Sequence, residues 1–342
     1  MPQVAFGIFD HLDRGTAPPE RWGQFYENRL RLLELADRHG FFGYHVAEHH
    51  FTPLGLAPSP SVYLAAAATR TRRIGLGPLV YILPLYHPLR LIEEICMLDQ
   101  LSNGRFLLGV GRGISPYELN YAGVNFIHAY AMYEEALEVI RQGLTNGQLD
   151  HHGRFYSFDR VPMEMVPRQR PHPPIWTGAS SLDSVARNAA NGMSVVIGGP
   201  NTRVKAAAAA FNAAGAAHLA GDNPIRIGAQ RHIVVAETDA EALALARPAY
   251  NLWYDALVKL WRAHNAGPTS FIDNLDGTIA NDGAIVGSPV TVRREVERHL
   301  AESGMSYFMC RFAFGDLTYE QSARSLTLFA EEVMPHVGKV TA

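Results

Sequence analysis

Three short stretches of this 342-residue chain hold side chains that could do chemistry. His45-Val46-Ala47-Glu48-His49 spells H-x-x-E-H, the inverted zinc-protease signature. Zinc would need His45 and His49 one turn apart on one helical face. The local sequence predicts otherwise. Gly40 ends a helix, and Phe41-Phe42-Gly43-Tyr44-His45-Val46 is a β-type run, in which residues four apart lie about 13 Å from each other. No metal site is expected, and a zinc hydrolase is the outside reading. What remains is Glu48-His49-His50 at the C-terminal end of a strand. His49 suits proton transfer near neutral pH and Glu48 could orient it; the plain alternative is that these residues only cap the strand. The second stretch, Gly109-Val110-Gly111-Arg112-Gly113, approaches a dinucleotide fingerprint but lacks its third glycine, and Ile114-Ser115-Pro116 opens no immediate helix. Its glycines let backbone approach a ligand, and Arg112 could pair with a phosphate, stack on a ring or serve as a surface ion-pair partner. The third, Thr177-Gly178-Ala179-Ser180-Ser181-Leu182-Asp183-Ser184, ends a strand and starts a helix. Its hydroxyls and N–H groups suit a phosphate dianion, or simple N-capping.

Gathering these stretches at one place calls for a scaffold whose strand ends converge. Candidate strands at 4–9, 43–47, 74–82, 105–110, 174–178, 194–197, 231–236 and 306–312 alternate with helical patterns at 22–39, 59–70, 88–101, 130–144, 182–191, 202–217, 239–259, 290–303 and 319–337. Several strands are apolar on both faces, as buried parallel strands are. The expected fold is therefore α/β, a (β/α)8 TIM barrel in one domain over 1–342, with an open doubly wound sheet as the rival. Surplus length sits after strand four, at 112–129 and 150–170, and after strand seven, at 262–288. The last is expected to be a lid, being long and rich in Gly, Asn and Asp.

With 47% apolar and 10% aromatic residues the chain can fill a core, which excludes a disordered or fibrous protein. The 30 Lys+Arg against 33 Asp+Glu, net charge −3 with no single-sign block, argue against nucleic acid or membrane partners. The charged fraction, 18%, is below the usual ~25% and points to much interior or a covered subunit face. Two cysteines, Cys96 and Cys310, read as buried core thiols in a reducing compartment. Without a signal peptide or a long apolar span, a cytoplasmic protein is expected.

Order and spacing then bring a likeness into view. Ala47-Glu48-His49-His50-Phe51, Leu83-Pro84-Leu85-Tyr86-His87-Pro88-Leu89-Arg90, and Leu98-Asp99-Gln100-Leu101-Ser102-Asn103-Gly104-Arg105-Phe106-Leu107-Leu108-Gly109-Val110-Gly111-Arg112-Gly113 resemble the bacterial luciferase-like flavin monooxygenase family. Pro173-Pro174-Ile175-Trp176-Thr177-Gly178-Ala179-Ser180-Ser181 and Leu328-Phe329-Ala330-Glu331-Glu332-Val333-Met334-Pro335 are also similar. The resemblance implies a barrel that binds FMN reduced by a separate reductase, activates O2 as a flavin peroxide and inserts one oxygen atom into a small, apolar ketone, aldehyde or terpenoid. It implies His49 beside the flavin ring with Glu48 next to it. It also implies Arg112 and Ile114 on the cofactor, with Gly178, Ala179, Ser180, Ser181 and Ser184 as the other half of a phosphate grip. Leu79–Val80 stands where relatives carry a non-prolyl cis peptide against the flavin. Phe9, Phe51, Tyr81 and Trp176 are the candidate substrate-pocket residues, and a homodimer through 59–70 and 88–101 is expected. Gly111 and Ala179 replace a cysteine and a carboxylate of luciferase itself, which sets the light reaction aside. A deazaflavin-dependent dehydrogenase or reductase is the alternative on the same fold, and a catalytically silent flavin-binding protein is the alternative from another class.

Overall fold

The computed structural model describes residues 4–215, 224–267 and 271–337. Twelve strands appear among them: β1 (Ala5–Asp10), β2 (Gly43–Val46), β3 (Gly75–Pro78), β4 (Tyr81–Ile82), β5 (Leu108–Gly111), β6 (Gln148–His152), β7 (Ser157–Pro162), β8 (Ile175–Ala179), β9 (Ser194–Ile197), β10 (Ile227–Val235), β11 (Ala284–Gly287) and β12 (Tyr307–Arg311). The helices are α1 (Trp22–Arg38), α2 (Pro60–Arg70), α3 (Pro88–Leu101), α4 (Pro116–Tyr121), α5 (Phe126–Thr145), α6 (Leu182–Ala190), α7 (Asn201–Gly215), α8 (Asp239–Ala263), α9 (Leu275–Ala280), α10 (Pro289–Ser303) and α11 (Tyr319–Leu328). All but β6 and β7 form one parallel sheet, ordered β3-β2-β1-β12-β10-β9-β8-β5-β4 with β11 beside β10. A parallel bridge between Leu76 and Phe106 joins its two sides. The ring is thus closed, and the open-sheet rival falls away.

Strand alternation sorts the side chains. Phe6, Ile8, Tyr44, Val46, Leu76, Leu108, Val110, Phe308 and Cys310 point outward into one apolar layer shared with Leu32, Leu33 and Ala36 of α1 and Leu91, Ile92 and Ile95 of α3. Burying each such side chain contributes roughly 1.5–3 kcal/mol. Both cysteines are buried free thiols. Among the described residues no helix is long and apolar enough to cross a membrane.

Three sequence expectations are revised. The strand foreseen at 74–82 is two pieces, β3 and β4, divided at Leu79–Val80, whose peptide bond is cis. The surplus at 150–170 holds most of an antiparallel hairpin, β6–β7. The connection at 262–288 is largely structured: it carries α9 and then β11, which pairs from His232↔Ala284 to Val235↔Gly287 and so belongs to the barrel wall. Residues 268–270 of that connection, and 216–217 of the helix foreseen at 202–217, lie outside the described residues.

Candidate active site

The inward side of the barrel alternates very small with very large residues. Gly7, Gly43, Gly75 and Gly77 face Tyr307 or Leu107 of an inner cluster that also holds Trp176, Val196 and Met309, while Gly109 and Gly111 lie against Pro78 and Val80. A Cβ on Gly7 would overlap the Tyr307 hydroxyl, and one on Gly77 the Leu107 carbonyl oxygen. His45 lies in this floor, with Nε2 at 3.0 Å from Tyr307 Oη and its ring 5.0 Å from that of Trp176. Burial lowers the His45 pKa to about 3, so the ring is neutral. His45 and His49 therefore engage different partners, and the H-x-x-E-H string does not form a helical zinc pair. Trp176 belongs to the floor of the cup. At its rim the space opens: nothing lies within 4 Å of where a Cβ on Gly178 would be.

Above that floor His49 follows β2, its Nδ1 3.1 Å from Glu118 Oε1. Glu118, only 3% exposed at its side chain, comes from α4, inside the surplus at 112–129. Ser115 caps α4 and accepts from the Glu118 N–H, the first half of a capping box; the carboxylate that would complete the box turns to His49. The orienting role expected of Glu48 therefore has another occupant. Glu48 accepts from the Ile82 N–H and from His50 Nε2, each at 2.9 Å. Burial raises its pKa against those bonds. For His50 burial lowers the pKa, but the Glu48 carboxylate outweighs this and the net shift is upward. Glu48 thus fixes β4 to the end of β2 and leaves His49 free of it.

His11, at the end of β1, sets its ring edge-on to His49 at 5.2 Å and accepts from Trp253 Nε1 at 2.9 Å. Burial first, then the nearby cation of Arg311, lowers its pKa well below the usual histidine range. His11 is neutral, and Trp253 fixes its proton on Nε2. Tyr117 and Tyr121 of α4 meet His264 beyond α8: the Tyr117 ring stacks on it at 4.2 Å and the Tyr121 hydroxyl lies 2.8 Å from Nε2. Two insertions are joined there, one of them carrying Glu118.

On the other side of the mouth β5 and β8 are neighbours, which brings Arg112 and the α6 start to adjacent strand ends. Arg112 lies over the Phe126 ring and donates to the Gly113 carbonyl. Ser181 and Ser184 form a full capping box on α6, and Ser180 accepts from Arg203 through its carbonyl. Ala179 is half-buried and Ile114 exposed. Leu79 packs on the inner cluster, and Val80 fills the space beside Gly111. Phe9 also faces inward, under the Arg311 guanidinium. Phe51 is exposed on the rim against Tyr121. Tyr81 is turned outward, fully buried and bonded to Ser61 Oγ at 2.7 Å, so it does not line the cup. Sequence reasoning missed Glu118, His11, Trp253, Arg203 and Arg311. The Ser115-x-x-Glu118 spacing was the available signal for the first.

The model of the luciferase-like monooxygenase family matches residues 4–307. The chain is 40% identical to an uncharacterized Sinorhizobium fredii protein over 98% of each. It is 31% identical to the oxygenase component of the flavin-dependent trigonelline monooxygenase of Acinetobacter baylyi, over 57% of this chain and 54% of that one. The crystal structure of the monooxygenase RslO1 from Streptomyces bottropensis superposes with a TM-score of 0.86 at 30% identity, covering 97% of this chain and 99% of the other. With its closed parallel barrel and its histidine-bearing mouth, the chain belongs to the luciferase-like, flavin-dependent monooxygenase family.

Proposed function

We propose that this chain is the oxygenase of a two-component system, taking FMN already reduced by a separate reductase, and O2, to oxygenate a small organic substrate with an apolar body, of the ketone, aldehyde or terpenoid kind. The observation that carries the reading is His49, held at the rim by Glu118 at 3.1 Å over a cup whose wall is open at Gly178. Bound reduced FMN would supply the electrons that make O2 reactive. Arg112 and the N–H groups of Leu182 and Asp183, which lack intrahelical acceptors, would hold its phosphate. Asp183 puts one negative charge in that turn, which Arg112 and Arg203 outnumber. Leu79, Val80 and Ile114 would border the ring system. With Nδ1 committed to Glu118, His49 Nε2 is the atom that takes up or returns a proton. Phe9 and Phe51 offer apolar contact to substrate, and the Tyr117–His264–Tyr121 junction ties the helix that carries Glu118 to the end of α8.

A cytoplasmic homodimer fits the free thiols and the exposed Val62, Met97 and Leu101 on α2 and α3. The deciding experiment is anaerobic titration of the protein with reduced FMN followed by mixing with O2. Tight binding, and reoxidation that His49→Ala slows without loosening FMN, is the expected result. A chain that binds no reduced FMN overturns the reading.

A further inference from the structure

Arg311 ends β12 on the inward side of the barrel, 1% exposed. Two other buried arginines are built into the fold: Arg29 lies against Asp10 and donates to the Asp13 carbonyl, and Arg231 donates to His299, Asn201 and the Gln230 carbonyl. Arg311 has a different setting. Its Nη1 donates to His232 Nε2 at 2.7 Å, and its Nε has no partner. Among the described residues it makes no salt bridge, and its Nη2 donates to nothing. The cation rests on two aromatic faces, Phe9 at 5.0 Å and Trp253 at 4.8 Å. His11 and His232 beside it are kept neutral, by burial first and then by Arg311 itself. The nearest acids are spoken for: Asp10 by Leu12 N–H, Tyr44 and Arg29, and Asp13 by the N–H groups of Gly15 and Gly315. Burial pushes the guanidinium down to about 9, leaving it charged at neutral pH.

A buried cation with no directly bonded anion is costly, and the remedy is a paired, hydrogen-bonded counter-charge. The unpartnered edge, Nε and Nη2, is a two-donor fork that matches the two oxygens of a carboxylate. Gln230 Oε1 and Trp176 Nε1, on strands of the same interior, are also buried without partners. Arg311 is not part of the phosphate grip. In the ring order β12 stands four strands from β5 in either direction, diametrically across from Arg112.

We propose that the substrate carries a carboxylate on its apolar body and that Arg311 is the residue that receives it. Phe9, lying across the guanidinium, is the ring that swings aside to admit it. The proposal rests on the reading of the cup as a substrate site and sharpens the substrate class.

The test compares two probes of equal shape, benzoate and benzamide, titrated calorimetrically into the protein with and without FMN. The wild type should bind benzoate at least about tenfold more tightly. Arg311→Met should bring that ratio to about one, with FMN affinity within about twofold and the melting temperature held or raised, since an apolar residue replaces an unpaired buried charge. Arg311→Lys, which keeps the charge without the fork, should retain part of the preference and reports the outcome if the Met variant fails to fold. A wild-type ratio near one overturns the proposal, as does either variant with the full wild-type preference. Loss of FMN affinity in Arg311→Met with the ratio intact also overturns it, because the anion would then be the cofactor's. A protein that prefers benzoate yet binds no FMN leaves the carboxylate site standing and sinks the monooxygenase reading instead.

Discussion

Glu118 is the residue through which the proposed chemistry is most sharply tested. Its carboxylate reaches His49 Nδ1 at 3.1 Å, with the two side chains 3% and 11% exposed, so water competes little for the bond. A hydrogen bond to a charged group in such a place contributes about 1.5–3 kcal/mol, or roughly 10- to 150-fold in a rate that depends on it. Glu118→Ala should slow the reoxidation of enzyme-bound reduced FMN by about that factor, followed by stopped-flow absorbance in air-saturated buffer. Glu118→Gln keeps an oxygen acceptor for Nδ1–H but loses the charge. A neutral bond is about half as strong, so this variant should recover about half of the lost free energy and run about 3- to 12-fold below wild type. FMN affinity, measured without O2, should stay within about twofold in both, since Glu118 is placed on His49 and not on the phosphate grip. If Glu118 acts through His49, adding Glu118→Ala to His49→Ala should cost almost nothing more. A Glu118→Ala enzyme within about twofold of wild type, or a double variant whose losses simply multiply, would refute the positioning role.

Glu48→Ala strands the buried Ile82 N–H and the part-buried His50, and should cost about 2–4 kcal/mol in denaturant unfolding; a loss below about 1 kcal/mol would show that the bonds contribute little. Because the His50 pKa is raised by Glu48 against the effect of burial, the stability it adds is complete below about pH 6.5 and fades as pH rises through the raised value. The melting-temperature gap between wild type and His50→Gln should therefore be wider near pH 6 than near pH 9, and a gap constant across that range contradicts the pairing. Gly77→Ala should fail to fold or unfold far more easily, because its Cβ meets a backbone carbonyl that cannot move aside, whereas Gly178→Ala should leave the melting temperature unchanged and weaken FMN binding. Met97→Arg together with Leu101→Arg, on an exposed apolar stretch of α3, should yield monomers by light scattering; an intact dimer places the interface elsewhere.

The barrel was legible because its outward residues are a strong signal: runs such as Leu76, Leu108 with Val110, and Val195 with Ile197 are apolar where helices cover them. The mouth was legible because chemistry-bearing residues fall at strand ends. The errors have physical causes. Glu48 and His49 are consecutive, and extended backbone sends consecutive side chains to opposite faces, so Glu48 was poorly placed to orient His49. The same alternation turns Tyr81 out toward Ser61. His49's true partner lies 69 residues on, a contact made by tertiary packing of an insertion. β11 escaped notice because four apolar-leaning residues, Ala284–Gly287, follow a turn-rich stretch that dominates the local composition. Arg311 was hidden inside a strand whose other residues are apolar or aromatic.

The glycines lining the cup bear on how its shape can vary between descendants of one gene. Where Gly77 and Gly109 lie, a side chain would run into neighbouring main chain, so much of the wall is backbone. Point substitution cannot shave backbone away. A single change can fill the cup, as at Gly178, or recontour it at the few large inward residues such as Phe9, Trp176 and Met309, but it cannot deepen the wall itself. The two directions therefore have different addresses: a tighter substrate range is reached by filling an open glycine position, while a wider one comes only at the few large inward residues or by a movement of whole strands.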